Sequence, residues 1–221
     1  MRLVAQPAWF GARGIDCVTP INEAFADWLV ANHFDYVSRY LGSLSKTEIG
    51  IIVSRGLAFF PVCYAGQRDP RPHAAALGSL LIPPTVTVWN DLESVPTEGN
   101  ADIKAKHVIN ELDAWAKGIR GPKGDQWDPG IYIANDPLLT SVEMGHLLID
   151  RYWQGAAKIV DRTGRLAEPT LETGPIGWCG KQIVPGNITR WRGKPTPAPI
   201  DVDFVYEDFR GRVPTWCVGV P

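Results

Sequence analysis

The chain has 221 residues, 45% hydrophobic and 21% charged, with a net charge of −2 and no cluster of basic residues on the scale of a nucleic-acid footprint. It is long enough to bury a sizeable core, and no run approaches the roughly 18 apolar residues of a membrane span, so neither membrane insertion nor nucleic-acid binding is expected. The four cysteines (Cys17, Cys63, Cys179, Cys217) are scattered without a CxxC pair, which leaves zinc and redox motifs unsupported, and Cys17 and Cys63, in strand-like runs, read as buried free thiols. Gly14 to Val18 opens the pattern as a short strand. Ile21 to Asn32 follows as a helix with Phe25, Trp28 and Leu29 on one face. Tyr36 to Tyr40 is the second strand, and Ser45 with Glu48 resembles a capping box for a helix ending near Arg55. Leu57 to Tyr64 is the third strand, and a short helix spans about His73 to Leu81.

The run Thr85-Val86-Thr87-Val88-Trp89-Asn90 is rich in β-branched and aromatic residues and follows Pro83-Pro84, so it reads as a buried fourth strand. A helix over 101–119 and a fifth strand over 130–134 come next, then a short helix over 142–149 and a strand-like piece over 151–157. The last third is poorer in helical signal. Strands are expected at 177–184 and 200–205 with a Gly/Pro-rich loop between them, and 213–218 fits either a final strand or a tail. Strand–helix alternation argues for an α/β fold with a parallel sheet. About eight strands in one unit point to a single (β/α)8 TIM-type barrel over residues 1–221, irregular or helix-poor in its C-terminal third. A doubly wound sheet is the rival, but Asp16 to Pro20 stands where its Gly-rich phosphate loop would be.

In such a barrel functional groups gather at the carboxyl ends of strands. Those positions carry Asp16, Arg39, Tyr40, Tyr64, Asp91, Glu93, Asp136, Trp153, Gln182, Asp201 and Asp203. Asp91-Leu92-Glu93 is the sharpest feature. Residues i and i+2 of a strand share a face roughly 6–7 Å apart, and glycosidic cleavage uses carboxyl pairs about 5–9 Å apart.

These pieces resemble the glycoside-hydrolase-like barrels related to the family 25 lysozymes, including an actinobacterial and phage group of unknown function. The matching segments are Gly14-Ile15-Asp16, Tyr36 to Leu41, Gly56-Leu57 with Pro61-Val62-Cys63-Tyr64, Asp91-Leu92-Glu93, Tyr152-Trp153 and Ile200 to Phe204. The resemblance implies Glu93 as general acid, its pKa raised by partial burial near Trp89. It implies Asp91 as an ionised carboxylate, facing the oxocarbenium-like centre or orienting a substrate N-acetyl group. Asp16 would polarise or bind substrate, and Asp201 or Asp203 would complete an acidic ring, Asp201 matching the family position better. Arg39, Tyr40, Tyr64, Asp136, Trp153 and Gln182 are the further candidates for substrate contact.

Plainer readings stand beside these. Asp16 and Asp136 could be helix N-caps, Asp91 a turn former and Glu93 a solvated loop residue. Arg39 could simply pair with an acid. His33, His73, His107 and His146 lie at no ligand spacing, so no metal or cofactor is expected. No serine sits in a G-x-S-x-G turn. Gly121 to Asp125 and Arg190 to Lys194 read as solvated turns, the second with a Trp between arginines that could touch a wall polymer.

The function expected is hydrolysis of a cell-wall amino-sugar polymer, with the peptidoglycan glycan as partner. The alternative is a silent barrel that binds the glycan without turning it over. Met1 to Arg13 lacks the pattern of a signal peptide. Synthesis in the cytoplasm is therefore expected, with delivery to a wall by another route, as for a phage lysin or an effector.

Overall fold

The computed structural model describes residues 1–64, 69–92, 101–133, 139–155 and 177–221, with side chains left out at 101–104, 141 and 183–187. The strands are β1 (Arg2–Pro7), β2 (Arg13–Asp16), β3 (Tyr36–Tyr40), β4 (Ala58–Cys63), β5 (Thr87–Leu92), β6 (Asp128–Ile133), β7 (Tyr152–Gln154), β8 (Gly180–Trp191), β9 (Lys194–Val205) and β10 (Thr215–Val220). The helices are α1 (Glu23–Ala31), α2 (Lys46–Ser54), α3 (Pro70–Ser79), α4 (Ala101–Arg120) and α5 (Ser141–Met144). Strands β2 to β9 close into an eight-stranded barrel, because β4 pairs with β5 and β2 with β9. The fold is thus the α/β barrel expected, and among the described residues no helix follows α5.

One strand departs from the parallel arrangement. β2 through β8 run parallel to their barrel neighbours, but β9 is antiparallel to both β2 and β8. The reason is local. The stretch expected as a Gly/Pro-rich loop is instead the turn and arms of a hairpin, with Arg192 and Gly193 both at positive φ (48° and 79°). That is the two-residue turn whose twist matches paired strands, and a hairpin can return only antiparallel. The mouth end of β9 is therefore its earlier half. Two more expectations change: the helix over 142–149 shortens to Ser141–Met144, and the 213–218 segment is the strand β10, which pairs antiparallel with β1 and touches β4 at Cys217 opposite Phe59.

Alternation on the strands separates two cores. Ile15, Val37, Phe59, Val88, Ile131, Ile200 and Val202 face outward and pack with Phe25, Leu29, Ile52, Leu112 and Trp115 of the helices. Tyr36, Phe60, Trp89, Trp153 and Val205 face inward, where Trp216 of β10 joins them. Three glycines make room for this aromatic filling. Gly14 stands opposite Tyr36, Gly130 opposite Trp89 and Gly180 opposite Trp153 on the neighbouring strand. A Cβ at these positions would lie 2.3, 2.5 and 2.7 Å from the facing ring. The rings then meet edge to face, Trp89 and Trp153 with centroids 5.0 Å apart and an interplanar angle of 90°.

Helix ends follow their sequence signals. Asn22 accepts from the Phe25 amide and Ser45 from the Glu48 amide, each capping its helix. The capping box is only half made, since the Glu48 carboxylate turns to the Ile21 amide and the Arg39 guanidinium. Among the described residues no helix is long and apolar enough to cross a membrane.

Candidate active site

The inward aromatic layer stops short of the barrel mouth, and polar side chains take over above it. Asp16, Ser38, Tyr40, Val62, Trp89, Asp91, Tyr132, Trp153 and Asp203 line one cavity of about 300 Å³, part of it open to solvent. Each comes from an inward position of a different barrel strand or from the next inward position of the same one. β3 thus supplies Ser38 and Tyr40, and β5 supplies Trp89 and Asp91. Only about 20 Å³ of it has room for a water-sized group, so the cavity is narrow.

Asp91 is 4% exposed, and its Oδ2 accepts from the Tyr40 hydroxyl at 3.1 Å. Tyr40 in turn stacks on Tyr64, ring centroids 4.3 Å apart and planes 16° from parallel. Tyr64 is 39% exposed at the rim and is held in place through Tyr40. Across the barrel the Tyr132 hydroxyl donates to Gln182 Oε1 at 2.9 Å. Gln182 is thus a partner of a lining residue and does not itself line the cavity.

The antiparallel β9 sets the two late aspartates at different depths. Asp201 lies opposite Asp16, level with the mouth and partly buried; Asp203 lies opposite Gly14, one layer deeper and 1% exposed. Asp203 is the one that lines the cavity. Burial, then the neighbouring Asp16 and Asp201, pushes its carboxyl well above the usual aspartate range, with the Trp153 indole working the other way. The Tyr36 phenol beneath is likewise pushed up, by burial and then by Asp203, Asp16 and Asp35.

Arg39 does not reach the cavity. It occupies the outward position between Ser38 and Tyr40, fully buried, with Nε 2.6 Å from Glu48 Oε1 and Nη1 donating to the Cys17 carbonyl. The physical reason is strand alternation, which sends neighbours of inward residues outward. The expectation of substrate contact by Arg39 is corrected to an ion pair under the mouth. Asp16 is not an N-cap, since Asn22 caps α1. Glu93 and Asp136 lie outside the described residues.

Ser38, Val62, Trp89 and Tyr132 complete the lining without having been among the sequence candidates. The alternation that marked Tyr40 and Asp91 extends to them, two residues earlier on β3 and β5 and one before the end of β4 and β6. Among the described residues no group of three or more His, Cys, Asp or Glu side chains is placed to hold a metal ion.

No protein-family model and no curated protein matches the sequence. Solved structures do match. An uncharacterized protein of B. stearothermophilus superposes with a TM-score of 0.61 at 16% identity, covering 88% of this chain and 96% of that one. The muramidase from Acremonium alcalophilum gives 0.56 at 14% identity, over 89% and 94%. A family 25 glycosyl hydrolase from Bacillus anthracis gives 0.51 at 12% identity, over 89% of each. What this chain has in common with the muramidase and the glycosyl hydrolase is their fold, a family 25-like barrel.

Proposed function

We propose that the protein is a glycoside hydrolase of the lysozyme type, cleaving an amino-sugar polymer of the bacterial cell wall, peptidoglycan, at the barrel mouth. The observation that carries this reading is the convergence of Asp16, Asp91 and Asp203 with Tyr40, Trp89, Tyr132 and Trp153 around one cavity. Carboxyl groups amid aromatic walls suit a sugar, whose faces are apolar and whose edges hydrogen-bond. The muramidase-like fold points the same way.

In this reading Glu93, two residues beyond Asp91, donates its proton to the glycosidic oxygen as the bond breaks. Asp91 acts as the carboxylate, oriented by the Tyr40 hydroxyl, and faces the developing oxocarbenium centre or orients the substrate acetamido group. Asp16, level with the mouth, binds a sugar hydroxyl. Water then completes the hydrolysis.

The test is clearing of purified cell wall by the wild type, Glu93→Gln and Asp91→Asn. Loss of clearing in Glu93→Gln with retained fold supports the reading; equal clearing by Glu93→Gln ends it. A second reading, a barrel that binds wall glycan without turnover, is favoured by the small cavity and by the near-complete burial of Asp91. Wall binding without clearing, unchanged by Glu93→Gln, would select it.

A further inference from the structure

The cavity floor has a chemical character distinct from its mouth. Ser38 Oγ, Trp89 Nε1 and Asp203 Oδ2 in its lining are buried polar atoms with no close hydrogen-bond partner among the described residues, while the Trp153 indole N–H is directed at the Asp203 carboxyl. The Trp89 indole N–H can only donate, and the Ser38 hydroxyl can donate as well. Asp203 is the exception if ionised, because a carboxylate only accepts.

The surroundings of Asp203 decide its state. The ionisable groups facing it are Asp16 from β2, Asp201 from its own strand and the Tyr36 phenol from β3, and the neutral Trp153 indole of β7 donates toward it. Gln182, opposite it on β8, is neutral. The basic residues on the adjoining strands all turn outward. Arg13 of β2 donates to the carbonyls of Asn32 and His33, Lys181 of β8 sits over the Tyr206 ring, and Arg39 of β3 is paired with Glu48. Among the described residues no Lys or Arg lines the cavity. For a fully enclosed carboxylate with acidic neighbours and no facing cation among the described residues, one indole N–H offsets only part of the burial, and such a group keeps its proton.

We propose that Asp203 is held as the neutral acid and that it serves the cavity as a hydrogen-bond donor, completing with Ser38 and Trp89 a floor of three donors that receives a neutral acceptor oxygen of the ligand. Above that floor Asp16 and Asp91 would repel an anionic group, so the fitting oxygen belongs to a hydroxyl or an amide carbonyl, the latter being what an acetamido sugar carries. Asp203 is in this account a specificity-determining residue and not a third catalytic carboxylate. The proton on Asp203 stands apart from the enzymatic reading, while the sugar as its acceptor rests on that reading.

The experiment is carboxyl 13C NMR of aspartate-labelled protein, with the Asp203 signal identified by its absence in Asp203→Asn. The expected signal is that of a protonated acid, unchanged between about pH 5 and about pH 8; a signal titrating near the ordinary aspartate value of about 4 overturns the proposal. Affinity for the N-acetylglucosamine trimer gives the second arm. Asp203→Leu, which has the size but no donor, is expected to bind about tenfold or more weakly than Asp203→Asn, which keeps a donor. Equal losses in the two variants overturn the donor role. Failure of the trimer to bind the wild type overturns the sugar as acceptor, and the carboxyl signal still decides whether Asp203 holds its proton.

Discussion

The Tyr40 hydroxyl donates to Asp91 Oδ2 at 3.1 Å, joining the end of β3 to the end of β5 across the barrel mouth. β4 lies between these strands, so the bond spans the opening and does not follow the sheet. A hydrogen bond to a charged group contributes about 1.5–3 kcal/mol. Tyr40→Phe keeps the stacking on Tyr64 and removes that bond. Turnover of purified cell wall is expected to fall about tenfold to a hundredfold, with the thermal midpoint little changed. An unaltered rate would show that Asp91 needs no orientation by Tyr40.

The glycines facing rings make a second prediction. A Cβ on Gly130 would lie 2.5 Å from the Trp89 ring, and one on Gly14 2.3 Å from Tyr36. Overpacking of this kind costs about 1–3 kcal/mol. Urea unfolding of Gly130→Ala and Gly14→Ala should show losses of that order. Gly130→Ala should also weaken ligand binding, because Trp89 lines the cavity. Gly50→Ala is the contrast. Gly50 sits on the exposed face of α2 with nothing within 4 Å of its added Cβ, so the change should stabilise by about 0.5–1 kcal/mol. Equal effects at the three positions would refute the packing argument.

Much of this fold could be read from local chemistry. Alternation in Tyr36 to Tyr40 and in Thr87 to Leu92 shows in the sequence because two environments, one aromatic and one aliphatic, lie on the two sides of each strand. The Asn22 and Ser45 caps are visible for the same reason, since a cap is satisfied within three residues. What was not legible depends on distant partners. The direction of β9 follows from a turn at Arg192-Gly193 in a segment whose prolines read as loop, and β1 gains its ladder only by meeting β10 at the other end of the chain. Arg39 and Tyr40 are adjacent polar residues at one strand end, and only the register of β3 decides which faces the cavity. Ser38 and Tyr132 carry no motif; they are recognisable only as inward neighbours of residues that do.

Arg39 and Glu48 form a buried pair with Nε and Oε1 2.6 Å apart, and the same oxygen accepts from the Ile21 amide at 2.9 Å. Arg39 also donates to the Cys17 carbonyl at 2.5 Å and to Ser43 Oγ at 3.3 Å. The pair thereby ties α2 to the loops that follow Asp16 and Tyr40. Removing one partner from such a pair leaves a buried charge and costs about 3–5 kcal/mol. Glu48→Leu and Arg39→Leu should each lose that much in urea unfolding. The double variant should lose clearly less than the two losses added together. Additive losses would mean that the ions contribute independently, through packing alone.

The Trp115 indole of α4 donates to His73 Nδ1 of α3 at 3.1 Å, with both side chains buried. Nδ1 must be unprotonated to accept, so the bond exists only with neutral imidazole. Burial lowers the His73 pKa in the folded protein, with Asp69 opposing, while the unfolded chain keeps a value of about 6.5. The unfolded state therefore takes up protons first as pH falls. The contribution of His73 is fully present above about pH 6.5 and declines as pH drops through the folded value. Urea unfolding at about pH 7.5 and about pH 5 should show the wild type losing more stability than His73→Leu/Trp115→Phe, in which donor and acceptor are removed together. His73→Leu alone, which strands the indole N–H, should be less stable than the double variant at the higher pH. Parallel pH dependences in wild type and double variant would place the acid sensitivity in the carboxyl groups and remove His73 from it.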